Sequence, residues 1–240
     1  MRMSPPALPR RAAAEFIGTS ALVAVIVGSG IRADALSQDT GVRLLANAGA
    51  SALGLGLLIA LIGPLSGAHF NPVVTLSEWW CGRRRGTGHE ALAYIGAQLA
   101  GAVTGALLAE AMFGRPPGAW ATEPRSALHL LLGEAVATAG LVLVVRGLRR
   151  IGRPGLAPVA VAGYIGAAIW FTSSGSFANP AATLGRAFSD SFTGIAPASV
   201  PAFAAAQLLG MLLGMGLAGV LYGTEGTPDE PNATEPRRTE

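Results

Sequence analysis

The same Asn-Pro pattern occurs twice in this chain, once in each half, and each copy lies in an otherwise apolar stretch. The first copy reads Ser-Gly-Ala-His-Phe-Asn-Pro-Val over residues 66–73, and the second reads Ser-Phe-Ala-Asn-Pro-Ala over residues 176–181. Asn is a favoured helix N-cap and Pro is favoured at the first helical position, so each pair predicts the start of a helix. The run from Pro72 to Cys81 gives about 15 Å of helix, half of a hydrocarbon core of roughly 30 Å. Two half-helices that begin in mid-membrane indicate a pore.

The composition predicts a polytopic membrane protein. Hydrophobic residues make up 51% of the chain and charged residues 13%, and the mean hydropathy of +0.48 lies outside the usual range of soluble domains. The 33 glycines suit close helix packing in lipid. Six apolar segments are long enough to span a bilayer. The predicted spans are Ala12–Gly30, Leu44–Leu65, Ala91–Met112, Ala127–Val145, Leu156–Ser173 and Val200–Tyr222, and the half-helices Pro72–Cys81 and Pro180–Ser189 follow the second and fifth spans.

Other short motifs also recur between the two halves. Residues 14–19 are echoed by residues 133–138, and residues 97–101 by residues 206–210. Each half holds three spans, an odd number, so the second copy enters the membrane from the opposite face. This pattern predicts an inverted repeat whose functional elements meet near the midplane. The predicted organisation is a single channel domain over 12–222, with repeat 1 at about 12–112 and repeat 2 at about 127–222.

Arginine placement predicts the orientation, since every basic residue is Arg. With the N-terminus in the cytoplasm, the inner side collects Arg10, Arg11, Arg83, Arg84, Arg85, Arg146, Arg149, Arg150 and Arg153. The outer side keeps Arg32, Arg43, Arg115 and Arg125, diluted by Asp34, Asp39 and Glu123. This positive-inside bias predicts two cytoplasmic termini and a multi-pass protein of the inner (plasma) membrane, and it explains the basic pI without nucleic acid as a partner. Residues 1–11 are expected to be a cytoplasmic segment and residues 223–240 a disordered tail.

These motifs resemble the aquaporin and glycerol-facilitator family, the major intrinsic proteins, over nearly all of residues 12–222. The resemblance rests on the two Asn-Pro motifs, on Glu15 and Glu134 of the first and fourth spans, and on the repeated Gln98 and Gln207. One Asn-Pro pair commonly marks only a turn, but turns alone do not explain two pairs at equivalent places in a six-span repeat. The resemblance implies an all-α membrane protein with six transmembrane helices and two re-entrant half-helices. It also implies a passive channel and a homotetramer with one pore through each subunit.

The pore centre is expected where the two Asn-Pro motifs meet. Irregular backbone at this depth must line a water-filled cavity, so the loops before Asn71 and Asn179 should face an aqueous path. Each Asn oxygen can cap its half-helix while its NH2 group points at the solute; the alternative is that each Asn only caps. Both helix N-termini carry about half a positive charge and disfavour cations and protons. The pore-centre residues are Asn71, Pro72, Val73, Asn179, Pro180 and Ala181.

Two acidic residues inside predicted spans need partners, because a carboxylate is costly within a membrane. We interpret Glu15 and Glu134 as acceptors for the irregular loop backbones, which would brace each half-helix. A proton relay is the alternative and would make the protein a coupled transporter. His69 belongs to the same loop and is expected to expose its backbone carbonyl to the pore rather than bind a metal. Neither a metal nor a cofactor is expected.

The outer selectivity filter departs from the family pattern. An Arg three residues after the second motif Asn is the commonest family element, and Ala182 stands at that position. Counting back from the two Asn residues assigns the other filter positions to Ser51, Ala167 and Ser176. A small gap would move the first of them to Leu53. Four small uncharged side chains predict a wide, less polar gate, because an Arg would bring five donors and a fixed charge.

A wide gate predicts the passage of water, glycerol and undissociated metalloid acids such as arsenicals. The stretch over residues 176–181 and Phe188-Ser189-Asp190 also resemble a bacterial branch of the family tied to arsenic resistance. Arg186, one helical turn beyond Ala182, is assigned to the outer mouth, where it would draw polarised solutes inward; the alternative is an interfacial Arg bonded to loop carbonyls.

Two other functions are alternatives to this channel. One is a water-selective aquaporin, against which the small filter residues argue. The other is a proton-coupled secondary transporter, which would accumulate solute against a gradient. An enzyme is not expected, because the sequence shows no nucleophile–base pair, phosphate loop or metal cluster at a credible spacing.

Overall fold

A computed structural model describes residues 6–81 and 88–223 of the chain, and these residues are entirely helical or irregular. The helices are α1 (Leu8–Leu36), α2 (Thr40–Ser66), α3 (Pro72–Cys81), α4 (Gly88–Met112), α5 (Leu128–Arg150), α6 (Ala157–Phe171), α7 (Pro180–Arg186) and α8 (Val200–Tyr222). Six of the helical segments are long and apolar enough to cross a membrane. The remaining two, α3 and α7, are the half-helices, so the predicted fold class is confirmed. Arg83, Arg84, Arg85 and the tail from residue 224 lie outside the described residues.

Several helix ends differ from the predicted spans. The first helix begins at Leu8, so Arg10 and Arg11 belong to α1 rather than to a separate N-terminal segment. The fifth helix continues to Arg150. The second half-helix stops at Arg186 instead of Ser189. Hydropathy detects the apolar part of a helix, whereas the backbone hydrogen bonds continue into charged turns at the membrane surface.

The two halves of the chain use the same close helix crossings. In the first half, α4 crosses α1 so closely that a Cβ on Gly105 would lie 2.1 Å from the carbonyl oxygen of Ser20. In the second half, α8 crosses α5 in the same manner, and a Cβ on Gly210 would lie 2.4 Å from the carbonyl oxygen of Ala135. Only glycine permits these backbone contacts, which in lipid replace the hydrophobic effect as the source of helix association. The crossings hold each half-helix beside the centre of the molecule.

The outer surface of the helices is apolar. On α2, the side chains of Leu53, Leu57 and Leu61 are exposed and lie four residues apart on one face. Such a face suits contact with lipid tails or with another apolar helix. The polar side chains inside the helices instead surround a central cavity.

Candidate functional site

The loop before each motif Asn has the same unusual backbone. Ala68 and Phe70 in the first loop have positive φ angles of 49° and 50°, and Ser176 and Ala178 at the equivalent positions of the second loop both have 47°. Left-handed backbone is costly for residues other than glycine and persists only where surrounding contacts enforce it. The alternation turns successive amides of each loop toward the protein and successive carbonyls toward the opposite motif.

The carboxylate of Glu15 holds the first loop from the protein side. It is buried and accepts hydrogen bonds from the backbone N–H groups of His69 at 3.0 Å and Phe70 at 2.6 Å. The Ser66 hydroxyl donates to it at 2.6 Å, and the Gln98 amide donates at 2.8 Å. An ionised carboxylate can accept all four, so the loop amides are satisfied without water.

Glu134 makes the equivalent contacts with the second loop. Its two oxygens accept from the backbone N–H groups of Phe177 and Ala178, both at 2.8 Å. The Gln207 amide donates to the same carboxylate at 2.6 Å. Both buried acids therefore make the loop contacts expected of a brace.

Two threonines extend these networks in a way that the sequence alone did not predict. Gln98 also donates to the Thr75 hydroxyl at 2.9 Å, and Gln207 donates to the Thr183 hydroxyl at 2.9 Å. Each Thr stands four residues after its motif Asn, and this repeated spacing was the available signal. In the first half, the Thr75 hydroxyl also lies 3.1 Å from Nδ1 of the His69 ring.

Each motif Asn caps its own half-helix. The Asn71 side-chain oxygen accepts from the Val73 N–H at 3.0 Å. The Asn179 oxygen accepts from the N–H groups of Ala181 at 2.9 Å and Ala182 at 3.2 Å. Pro72 and Pro180 occupy the first helical positions, where the missing N–H is not needed.

The two Asn side chains also reach across to the opposite loop. Asn71 Nδ2 donates to the carbonyl oxygen of Ala178 at 2.8 Å, and Asn179 Nδ2 donates to the carbonyl oxygen of Phe70 at 2.8 Å. An amide NH2 group has two hydrogens, so one remains on each Asn. This corrects the expectation that the whole NH2 group faces the solute, because the crossed loop carbonyls accept one hydrogen from each.

A cavity of about 500 Å³ runs past both Asn side chains. It extends from the α5–α6 connection at Pro154 to the end of α7 at Arg186. Among the described residues, none of those lining it is acidic. The polar lining side chains are Asn47, Ser51, His69, Asn71, Arg149, Ser176, Asn179 and Arg186.

Three of the four sequence-predicted filter residues line this cavity, and Ala167 does not. Ser51, Ser176 and Ala182 contribute to the cavity wall. Ala167 is exposed on the outer side of α6, whereas Ile165 of the same helix lines the cavity. The structure therefore places Ala167 away from the cavity wall, where α6 contributes Val161, Ile165 and Ile169.

Two serines of the cavity wall carry hydroxyl groups without a partner among residues 6–81 and 88–223. Ser51 and Ser176 are buried, and within the described part of the chain neither Oγ atom has a hydrogen-bond partner. Leu53, the alternative to Ser51, is 78% exposed on the outside of the fold. An unpartnered buried hydroxyl is costly. Both oxygens are themselves buried, so their hydrogen-bonding capacity is unused within the described residues.

Arg186 reaches back to the loop before Asn179. Helical side chains tilt toward the helix N-terminus, and the guanidinium carbon of Arg186 lies 3.3 Å from the ring centroid of Phe177, in the loop before Asn179. Its Nε donates to the carbonyl oxygen of Thr193 at 2.5 Å. Arg186 is thus bonded to a loop carbonyl and also lines the cavity.

Arg125 approaches the same aromatic ring. Its guanidinium carbon lies 5.4 Å from the Phe177 centroid, and its Nε donates to the carbonyl oxygen of Gly194 at 2.9 Å. Burial lowers the pKa of Arg125, although nearby Glu123 and Glu134 oppose this shift. The end of the cavity near Arg186 therefore has two guanidinium groups beside the Phe177 ring.

A comparison with known families agrees with this geometry. The family described as Major intrinsic protein matches residues 3–173. The chain belongs to the major intrinsic protein family. Membership in this family of membrane channels also agrees with the expectation that the chain is not an enzyme.

Relatives within the major intrinsic protein family cover most of the chain. Aquaglyceroporin AqpS of Rhizobium meliloti is 45% identical over 210 residues, which are 88% of this chain and 89% of the relative. Probable aquaporin AqpM of Archaeoglobus fulgidus is 32% identical over 78% of this chain and 86% of its own length. The X-ray structure of the aquaglyceroporin from Plasmodium falciparum has the same fold, with a TM-score of 0.68 at 22% identity, covering 90% of this chain and 97% of that one.

Proposed function

We propose that this chain is a passive channel for water, glycerol and other small uncharged hydroxylated solutes, including undissociated metalloid acids such as arsenicals. The observation that carries the proposal is the cavity of about 500 Å³ that passes both motif Asn residues. The name aquaglyceroporin, carried by the 45% identical relative from Rhizobium meliloti, supports glycerol beside water.

The centre of the proposed pore selects for neutral hydrogen-bond acceptors. Asn71 and Asn179 each keep one amide hydrogen for a passing oxygen, after the crossed bonds to Ala178 and Phe70. Two donors at one level orient that oxygen as an acceptor and interrupt a chain of hydrogen-bonded water. Both half-helix N-termini add positive potential here, which excludes cations and protons. Glu15 and Glu134 hold the loops in place and take no part in proton transfer.

The proposed filter consists of Ser51, Ile165, Ser176 and Ala182, with Arg186 in the outer mouth. Ile165 is assigned in place of Ala167 because, like Val161 and Ile169 of the same helix, it lines the cavity. One wall is then apolar and meets the carbon atoms of a polyol, while the two serine hydroxyls meet its oxygens. The small side chain at position 182 leaves room for solutes larger than water. The guanidinium of Arg186 places a positive charge at this end of the pore, whereas Ala182 carries none.

The proposed assembly and orientation rest on the family resemblance and on the arginine distribution. We infer a homotetramer in the inner (plasma) membrane, with both termini in the cytoplasm. The exposed leucine face of α2 supports burial against lipid or against a neighbouring subunit. Positive-inside bias supports the orientation, because Arg146, Arg149 and Arg150 cluster at the end of α5.

Solute uptake into proteoliposomes tests the proposed function. Water, glycerol and arsenite are compared in one vesicle preparation with protein-free vesicles as the control. The proposal expects faster fluxes of all three solutes, each reaching equilibrium without accumulation. Fast water flux without glycerol or arsenite uptake would show a water-selective channel instead. Accumulation that a protonophore abolishes would show a coupled transporter.

A further inference from the structure

We propose that Glu110 positions Arg186 at the outer end of the cavity, through a relay of the hydroxyl groups of Ser189, Ser191 and Thr193. Glu110 lies near the end of α4, outside the site described above. The inference rests on the proposed function in one respect: it takes Arg186 to face the passing solute.

The relay ends on a buried and fully occupied carboxylate. Glu110 is 1% exposed, and its Oε2 forms an ion pair with Arg115 Nε at 2.8 Å. Its Oε1 accepts the hydroxyl hydrogen of Ser189 at 2.5 Å. Removing either partner of a buried charge is strongly destabilising, so this carboxylate is a fixed point in the fold. Arg115 also donates from Nη2 to the carbonyl oxygen of Asp190 at 2.6 Å, which holds the same loop.

A chain of three hydroxyl groups leads from Glu110 to Thr193. An ionised carboxylate can only accept, and Ser189 donates to Glu110. The Ser189 hydroxyl also lies 2.9 Å from the Ser191 oxygen with Ser189 as the donor, so Glu110 and Ser191 share its single hydrogen. The Ser191 and Thr193 hydroxyl groups lie 3.2 Å apart, and either can donate to the other. These contacts join Glu110 to Thr193 through side chains alone.

Thr193 is the residue through which the relay reaches Arg186. Its carbonyl oxygen accepts from Arg186 Nε at 2.5 Å. Its methyl group fills the space beside Gly30 of α1, where a Cβ would lie 2.4 Å from Thr193 Cγ2. With the hydroxyl held on one side and the methyl on the other, the carbonyl of Thr193 has one position.

A fixed carbonyl gives the guanidinium of Arg186 a fixed place above the Phe177 ring. Arg has two further amino groups besides Nε, and Arg186 lines the cavity. If the relay is broken, the carbonyl of Thr193 is held less firmly and the Arg186 side chain spreads over several rotamers. Glu110, Ser189, Ser191 and Thr193 are accordingly positioning residues, since none of them lines the cavity.

An isosteric pair of variants tests the relay. Thr193→Val removes the hydroxyl while keeping the shape and the carbonyl, and Thr193→Ser keeps the hydroxyl. Both are measured for the ratio of glycerol to water permeability in proteoliposomes, alone and combined with Arg186→Gln. Ser189→Ala interrupts the relay one step nearer to Glu110 and serves as an independent third variant.

The proposal expects Thr193→Val and Ser189→Ala to shift the permeability ratio by about threefold, the size of one lost hydrogen bond, in the direction of Arg186→Gln. Thr193→Ser is expected to keep the wild-type ratio. In the Arg186→Gln background the two relay variants should have no further effect, because the residue that they position is gone.

The other outcomes separate the relay from the proposed role of Arg186. A wild-type ratio for Thr193→Val beside a changed ratio for Arg186→Gln overturns the relay alone. A shift that persists in the Arg186→Gln background shows that the loop acts without Arg186 and also overturns the relay. An unchanged ratio for Arg186→Gln removes the proposed role of Arg186 and the relay with it, while the channel itself stands if glycerol still passes.

Discussion

The backbone N–H of Phe70 donates to Glu15 at 2.6 Å within the first half of the molecule, and the other side of the same residue bonds to the second half. The carbonyl oxygen of the same Phe70 accepts from Asn179 Nδ2 at 2.8 Å. Glu15 holds the Phe70 backbone in the first repeat and thereby fixes the carbonyl oxygen that Asn179 of the second repeat binds. Ala178 has the equivalent position between Glu134 and Asn71. The pore centre is consequently one hydrogen-bonded unit rather than two independent caps.

Glu15→Gln is expected to weaken this unit. A neutral amide presents one NH2 group where the carboxylate presents two acceptors, so at least one donor is left unpaired. The free energy of unfolding should fall by about 1–3 kcal/mol, together with the water permeability of each channel. Thermal unfolding in detergent and light-scattering flux measurements check both effects. Glu90→Gln, at a partly exposed ion pair with Arg11, is the matched control and should change either value little. Equal effects of both variants would contradict the bracing role of Glu15.

Gly210→Ala is expected to separate α8 from α5. The added Cβ would lie 2.4 Å from the carbonyl oxygen of Ala135, which is backbone and cannot move aside alone. The unfolding free energy should drop by about 1–3 kcal/mol. Gly216→Ala on the same helix meets nothing within 4 Å and is expected to be neutral or slightly stabilising. Thermal unfolding of both variants in the same detergent gives the comparison. A stable Gly210→Ala protein would show that the helices tolerate a wider crossing.

Ile165→Phe is expected to narrow the cavity. Ile165 lines the cavity, and the larger Phe ring would project further into it, so glycerol permeability should fall more than water permeability. Ala167→Phe adds more bulk to the same helix but on its exposed side, and should leave both permeabilities unchanged. Stopped-flow measurements on both variants discriminate the two positions. If Ala167→Phe narrows the pore and Ile165→Phe does not, the assignment of the filter to Ile165 is wrong.

Arg186→Gln is expected to admit cations. A guanidinium about 10 Å from a passing cation repels it by about 1.7 kcal/mol at an effective dielectric constant of about 20, so sodium leakage should rise on the order of tenfold. Sodium efflux from loaded proteoliposomes measures the effect. Arg43→Gln removes an Arg that is paired with Asp34 at 2.7 Å and should leave the leakage low. Unchanged sodium efflux in Arg186→Gln would assign cation exclusion to the half-helix termini alone.

Local signals in the sequence predicted the pore centre. Asn followed by Pro fixes the start of a helix from residues that are adjacent in the chain, and α3 therefore begins and ends where the sequence placed it. The repeated Glu15 and Glu134 were also recognisable, because a carboxylate in an apolar span demands partners. Because each Glu occurs at the same place in its repeat, the sequence also indicated the backbone of the irregular loop as its partner.

The filter and the relay could not be predicted in the same way. Counting back from Asn179 led to Ala167, which does not line the cavity. The residues between Phe171 and Asn179 are irregular, so such counting does not show which side of α6 faces the cavity. The contact between Glu110 and Ser189 joins residues 79 positions apart that share no motif. The crossed bonds from Asn71 and Asn179 depend on positive φ angles in residues other than glycine, for which the sequence carries no local signal.

Chemical block of the cavity tests the central claim most directly, namely that solutes pass between Asn71 and Asn179. Ala182→Cys lines the cavity and Ala167→Cys is exposed outside it, each in a Cys81→Ser background that removes the single native thiol. Glycerol and water permeabilities are measured before and after treatment with a bulky methanethiosulfonate reagent. The account predicts that the reagent abolishes both fluxes in Ala182→Cys and neither in Ala167→Cys. Undiminished fluxes through a fully modified Ala182→Cys protein would contradict it.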